Sequence, residues 1–82
     1  MKPELHQVCM EMGYTLSDSL GYTKQTNKYE HKLYLYSSGF RLIGRLSNLI
    51  GAEPVYDTGI IIIDITPLQL RTMIDIFTLN WD

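Results

Sequence analysis

The chain has 82 residues, 45% of them hydrophobic and 20% charged, with a formal net charge of −2. That length fits one domain closing a single core, and so much apolar content with so little net charge excludes a disordered chain. The mild acidity argues against a general nucleic-acid binder held by phosphate contacts.

A single cysteine, Cys9, permits no intramolecular disulfide, and His6 and His31 supply no cluster with zinc spacing. Neither glycine-rich phosphate-binding pattern occurs, so no cofactor or metal is expected. The longest apolar run, the isoleucines at 60–63, falls far short of the roughly 20 residues of a membrane span. No apolar stretch of the signal-peptide kind follows the first four residues. The expected location is therefore the cytoplasm, or the cytosol of a host cell. Charge is uneven: all four lysines lie in the first 32 residues, whereas the last 50 carry three arginines against five carboxylates.

The first predicted element is a helix over residues 3–12. Pro3 suits a first helical turn, and Glu4 complements the N-terminal dipole. Leu5, Val8, Cys9 and Met12 form one apolar stripe, and Gly13 follows where a left-handed cap belongs. Residues 14–30 are polar and irregular and read as loop. Gly13-Tyr14-Thr15 recurs as Gly21-Tyr22-Thr23, which reads as two turn-and-extended pieces. Residues 29–36 alternate with period two and predict a strand.

Ser37-Ser38-Gly39 breaks that strand, and residues 40–50 then fit two readings. They could form a hairpin strand after a short loop. The favoured reading is a helix, because Leu42, Ile43, Leu46, Leu49 and Ile50 make a broad helical face ending at Gly51. Gly44 argues against it, at about 1 kcal/mol relative to alanine.

Residues 53–58 read as a turn around Pro54. Residues 59–65 predict the best strand of the chain, a central one buried on both faces. Thr66-Pro67-Leu68-Gln69 is a capping-box signature, opening a helix to about residue 79. Its inner stripe is Leu70, Met73, Ile74 and Phe77. Leu68, Ile76 and Leu79 fall off that stripe, so the helix is either enclosed or offers a second face to a partner. The fold class is α+β: a small single domain in the order α-loop-β-α-β-α, its short sheet packed by helices. Parallel neighbours would be joined by a right-handed crossover.

Candidate chemistry is sparse. Cys9 with His6, one helical turn apart, is the cheapest nucleophile and base, but no third member accompanies them. Asp64, closing an apolar strand, is the carboxylate best placed for catalysis or metal work, with Asp57 and Asp75 as further acids. Aromatic residues say more. Five of six tyrosines lie between residues 14 and 36, and tyrosine brings large contact area at low entropic cost.

The expectation is therefore a small interaction module that binds a protein partner. An inhibitor or regulator is the expected role, and the small size suits one encoded by a phage or mobile element. The proposed contact residues are Tyr22, Tyr29, Tyr34, Tyr36, Arg41, Arg45 and Trp81. A homo-oligomer through the C-terminal helix is a further expectation. Tyr34 and Tyr36 with Arg41 and Arg45 could instead stack and hold nucleic acid, and Asp64 or Cys9 could serve a small enzyme. The plainest alternative has the tyrosines packing under residues 14–30. Stability is expected to reside in the last half of the chain, leaving residues 14–36 for function.

Overall fold

The computed structural model describes residues 3–17, 21–47, 51 and 53–81. In chain order these form α1 (Pro3–Glu11), β1 (Thr15–Leu16), β2 (Gly21–Gln25), β3 (Tyr29–Tyr36), β4 (Gly39–Leu46), β5 (Tyr56–Asp57), β6 (Ile61–Ile62) and α2 (Pro67–Thr78). The domain is α+β, two helices on a six-stranded antiparallel sheet. Strands β1 to β4 form a meander, and β5 and β6 both pair with the far edge of β4. All these pairs are antiparallel, so the crossover rule for parallel neighbours does not come into play.

Helix α1 buries Leu5, Val8 and Cys9, and Met12 packs on the same core just past its end. Gly13, at φ 92°, turns the chain out of the helix. The buried Tyr14 follows, its N–H donating to the Cys9 carbonyl at 3.0 Å.

Residues 14–30 are not a loop. They supply β1 and β2, with Tyr22 and Lys24 on the helix side and Gly21, Thr23 and Gln25 on the other. Polar residues are tolerated because no helix among the described residues covers that other face. Of the two Gly-Tyr-Thr copies the first turns at Gly13 and enters β1 at Thr15, while the second lies wholly in β2, and they meet at Thr15 opposite Thr23.

The helix favoured over residues 40–50 is instead strand β4, paired with β3 over eight residues from Tyr36↔Gly39 to Tyr29↔Leu46; residues 48–50 lie outside the described residues. Leu42, Ile43 and Leu46 satisfy both periods, and pairing with a ready strand across the Ser37-Ser38 turn decides between them. Phe40, Leu42, Gly44 and Leu46 face the helices, while Arg41, Ile43 and Arg45 face away. A Cβ at Gly44 would overlap the Tyr56 ring, so the glycine disfavoured in a helix is what lets that ring lie across the strand.

Residues 59–65 are not a central strand. They lie at the sheet edge, and only Ile61 and Ile62 are laddered. Between β5 and β6 the register on β4 slips by one: Arg41 and Leu42 oppose Thr58, Gly59 and Ile60. This is a β-bulge. The Thr58 hydroxyl accepts from the Leu42 N–H at 3.0 Å in place of a ladder carbonyl, and Gly59 takes φ 66°. Ile60, Ile62 and Ile63 are consequently exposed.

Helix α2 begins with the expected capping box. Gln69 N–H donates to Thr66 Oγ1 at 3.2 Å, and Thr66 N–H to Gln69 Oε1 at 3.0 Å. Leu70 and Ile74 are buried, with Met73 and Phe77 packed beside them. The core lies between the helices and one sheet face, centred on Tyr14, Tyr22, Leu33, Phe40, Leu42 and Leu70. The stretch expected to be least structural thus supplies its centre. Among the described residues no helix is long and apolar enough to cross a membrane.

Candidate functional site

The open face of the sheet gathers four of the seven expected contact residues. Strand alternation puts Tyr34 and Tyr36 there from β3, and Arg41 and Arg45 from β4, with Tyr34 opposite Arg41. Lys32 and Glu30 complete the β3 row. Ile43 is buried among them despite the absence of a covering helix among the described residues.

The two arginines are not equivalent. Arg41 grips Asp57 with two parallel bonds, Nε to Oδ1 at 3.0 Å and Nη2 to Oδ2 at 2.7 Å. Asp57 also accepts from the Gly59 N–H at 2.8 Å, tying the salt bridge to the bulge. The Arg41 guanidinium, and then the Gly59 amide, hold the Asp57 carboxyl below the usual aspartate range. Arg45 Nε, by contrast, is buried with no hydrogen-bond partner among the described residues.

The other three expected contacts lie on the helix side. Tyr22 has no solvent-exposed surface, and its hydroxyl sits 2.7 Å from His6 Nδ1. It cannot present its ring to a partner, so burial corrects that assignment. Tyr29 and Trp81 belong to an aromatic cluster at one end of the sheet. Trp81 meets Tyr29 edge-on at 5.5 Å between centroids and stacks on Tyr56 at 6.5 Å. The Tyr56 hydroxyl lies 2.6 Å from Nδ1 of the buried His31. Trp81 is thus folded back on the body as a half-buried cover.

A second surface was not foreseen as such. Ile60, Ile62 and Ile63 of the bulged edge and Leu68, Ile76 and Leu79 of α2 are all exposed, Ile62 at 81%, Leu79 at 75% and Leu68 at 73%. A groove of about 320 Å³ runs between the edge and the helix, walled by Phe40, Ile61, Ile63, Ile65, Leu68 and Met73. The off-stripe positions of α2 pointed to half of this surface. The isoleucine run pointed elsewhere, because a continuous apolar run reads as two-sided burial; Gly59 beside it was the available sign of a bulge.

The candidate reactive groups are dispersed. Cys9 is buried, and burial pushes its thiol up to about 12, which keeps it protonated and non-nucleophilic at neutral pH. His6 is engaged with Tyr22, sixteen residues away. Asp64 is exposed in the connection to α2. Among the described residues, no three His, Cys, Asp or Glu side chains converge as a metal site.

No protein-family model, curated protein or solved structure matches the chain.

Proposed function

We propose that the protein is an interaction module, an inhibitor or regulator that acts by docking a protein partner on the apolar surface formed by β6 and α2. The observation that carries this reading is the apolar groove between β6 and α2, with Ile63 and Leu68 exposed in its walls and Ile60, Ile62, Ile76 and Leu79 exposed elsewhere on the same two segments. Soluble monomers seldom leave such patches bare unless something covers them. Small size and mild acidity suit a regulator of phage or mobile-element origin working in the cytoplasm. A small enzyme centred on Cys9 or Asp64 has less support, since the thiol is buried and protonated.

The test is affinity capture from the source cell with the wild-type chain and a Leu68→Asp/Ile76→Asp variant. Both positions are exposed, so the variant should fold. Loss of one specific partner with the variant is the expected result; equal recovery would remove this surface from the reading.

A second reading uses the open sheet face. It rests on Tyr34 and Tyr36 sharing that face with Arg41 and Arg45, rings that could stack bases and cations that could hold phosphate, although Arg45 stands opposite Glu30 and away from both rings. Capture of Arg41 by Asp57 weakens it. Single-stranded nucleic acid bound this way should dissociate between low and high salt, and salt-independent binding would end the reading.

A further inference from the structure

We propose that the partner enters as an added β-strand: an extended apolar segment flanked by lysine or arginine, pairing with the β6 edge and placing alternate side chains in the groove beside α2. This rests on the interaction-module reading and specifies the partner's chemistry.

The backbone provides the first argument. Ile63 N–H donates inward, to the Ser38 carbonyl at 2.9 Å. Strand alternation then turns the N–H and C=O of Ile62 outward, away from β4. Among the described residues β6 pairs with β4 alone, so this side of the sheet ends there. Natural edges are usually protected by charge or proline. Here the edge carries isoleucines at 60–63, with two of them exposed by more than half.

Side-chain phase provides the second. Ile61 and Ile63 point toward α2, and Ile62 toward the open face. A strand laid against β6 would direct every second residue into the groove and the intervening ones alongside Ile62. At about 30 Å³ per water-sized group, 320 Å³ accepts about two to three branched aliphatic side chains.

Charge provides the third, and it selects the occupant. With Asp57 held by Arg41, the sequence from residue 51 to the end leaves Glu53, Asp64, Asp75 and Asp82 against Arg71 alone. Arg71 is ion-paired with Glu11 of α1, on the flank of α2 away from the groove. Asp64 directly follows the isoleucines, and Asp75 is exposed on α2. Cations at the ends of the added strand complement this field. A second copy of the chain would instead bring like charges together.

The test selects binders to the full chain from a displayed library of random peptides, then resynthesises the best with single N-methyl groups along its backbone. The expected winners carry Val, Ile or Leu at positions i and i+2, with Lys or Arg outside them and no acid. Methylation should weaken binding about tenfold at every second amide and little in between, as loss of one edge hydrogen bond at a time requires. Leu68→Lys should abolish binding while leaving the thermal midpoint unchanged. Three results overturn the proposal: winners with helical i, i+4 spacing, methylation effects without alternation, or a wild-type dimer by light scattering that Leu68→Lys dissolves. The two readings fail separately. A captured partner that is lost with Leu68→Asp/Ile76→Asp but lacks such a segment sinks strand addition alone. Alternating peptide binding with no partner captured sinks the cellular reading alone.

Discussion

One buried and one half-buried tyrosine show how a single hydroxyl changes sign with its surroundings. The Tyr14 hydroxyl is buried with no hydrogen-bond partner among the described residues, whereas that of Tyr56 lies 2.6 Å from His31 Nδ1. A buried polar group without a partner costs about 1–3 kcal/mol. Tyr14→Phe should therefore raise stability by about 1 kcal/mol, and Tyr56→Phe should lower it by about 1–2 kcal/mol. Urea unfolding of the two variants beside wild type checks both signs. Cys9 carries a different signature. Its folded pKa is raised from 9.0 to about 12 by burial, so its contribution is complete below pH 9 and is lost as pH rises toward 12. The stability advantage of wild type over Cys9→Ala should shrink across that window, measured as urea midpoints at pH 7 and pH 11.

Among the elements, α2 has the best-defined start. Removing the hydroxyl in Thr66→Ala takes one half of the capping box and should cost about 1 kcal/mol. For a domain of this size that is a fall of about 4–8 °C in thermal midpoint. This start was legible in the sequence because Thr66, Pro67 and Gln69 act within one turn. Strand β3 was legible too, from the alternation of Leu33 and Leu35 with Tyr34 and Tyr36. Strand β4 was not, since Leu42, Ile43 and Leu46 fit either period and the deciding partner is β3. Half of the tyrosine-bearing face follows once β4 is read as a strand: Arg41 and Arg45 fall into phase with Tyr34 and Tyr36. The grip of Asp57 on Arg41 spans sixteen residues and depends on the bulge, so nothing local announces it.

For the molecule as a whole, the exposed apolar residues are not a sign of loose packing. The accessible surface is 5172 Å², against about 5,000 Å² for a folded monomer of this mass. The radius of gyration is 11.9 Å, against about 12 Å for a compact chain of this length. Among the described residues, nine large hydrophobic side chains stay exposed around a closed core. Leu68→Lys should accordingly leave urea stability within about 0.5 kcal/mol of wild type. Light scattering over a concentration series should show a monomer for wild type and variant alike, since a second copy would bring like charges together. A wild-type dimer that the variant dissolves would instead favour the C-terminal helix as a self-contact face.

The slip between β5 and β6 gives one added residue a task of its own. Surface connections ordinarily absorb the gain or loss of a residue with little effect. Deleting Gly59 would set two residues instead of three against Arg41 and Leu42 and bring the ladder back into step, with Ile61 still opposite Phe40 and Ile62 opposite Gly39. The isoleucines would keep their faces, yet Asp57 would lose the amide that helps hold it against Arg41. Related sequences one residue shorter between Asp57 and Ile61 should therefore lose the acid–arginine pair at 57 and 41 before they lose the edge strand.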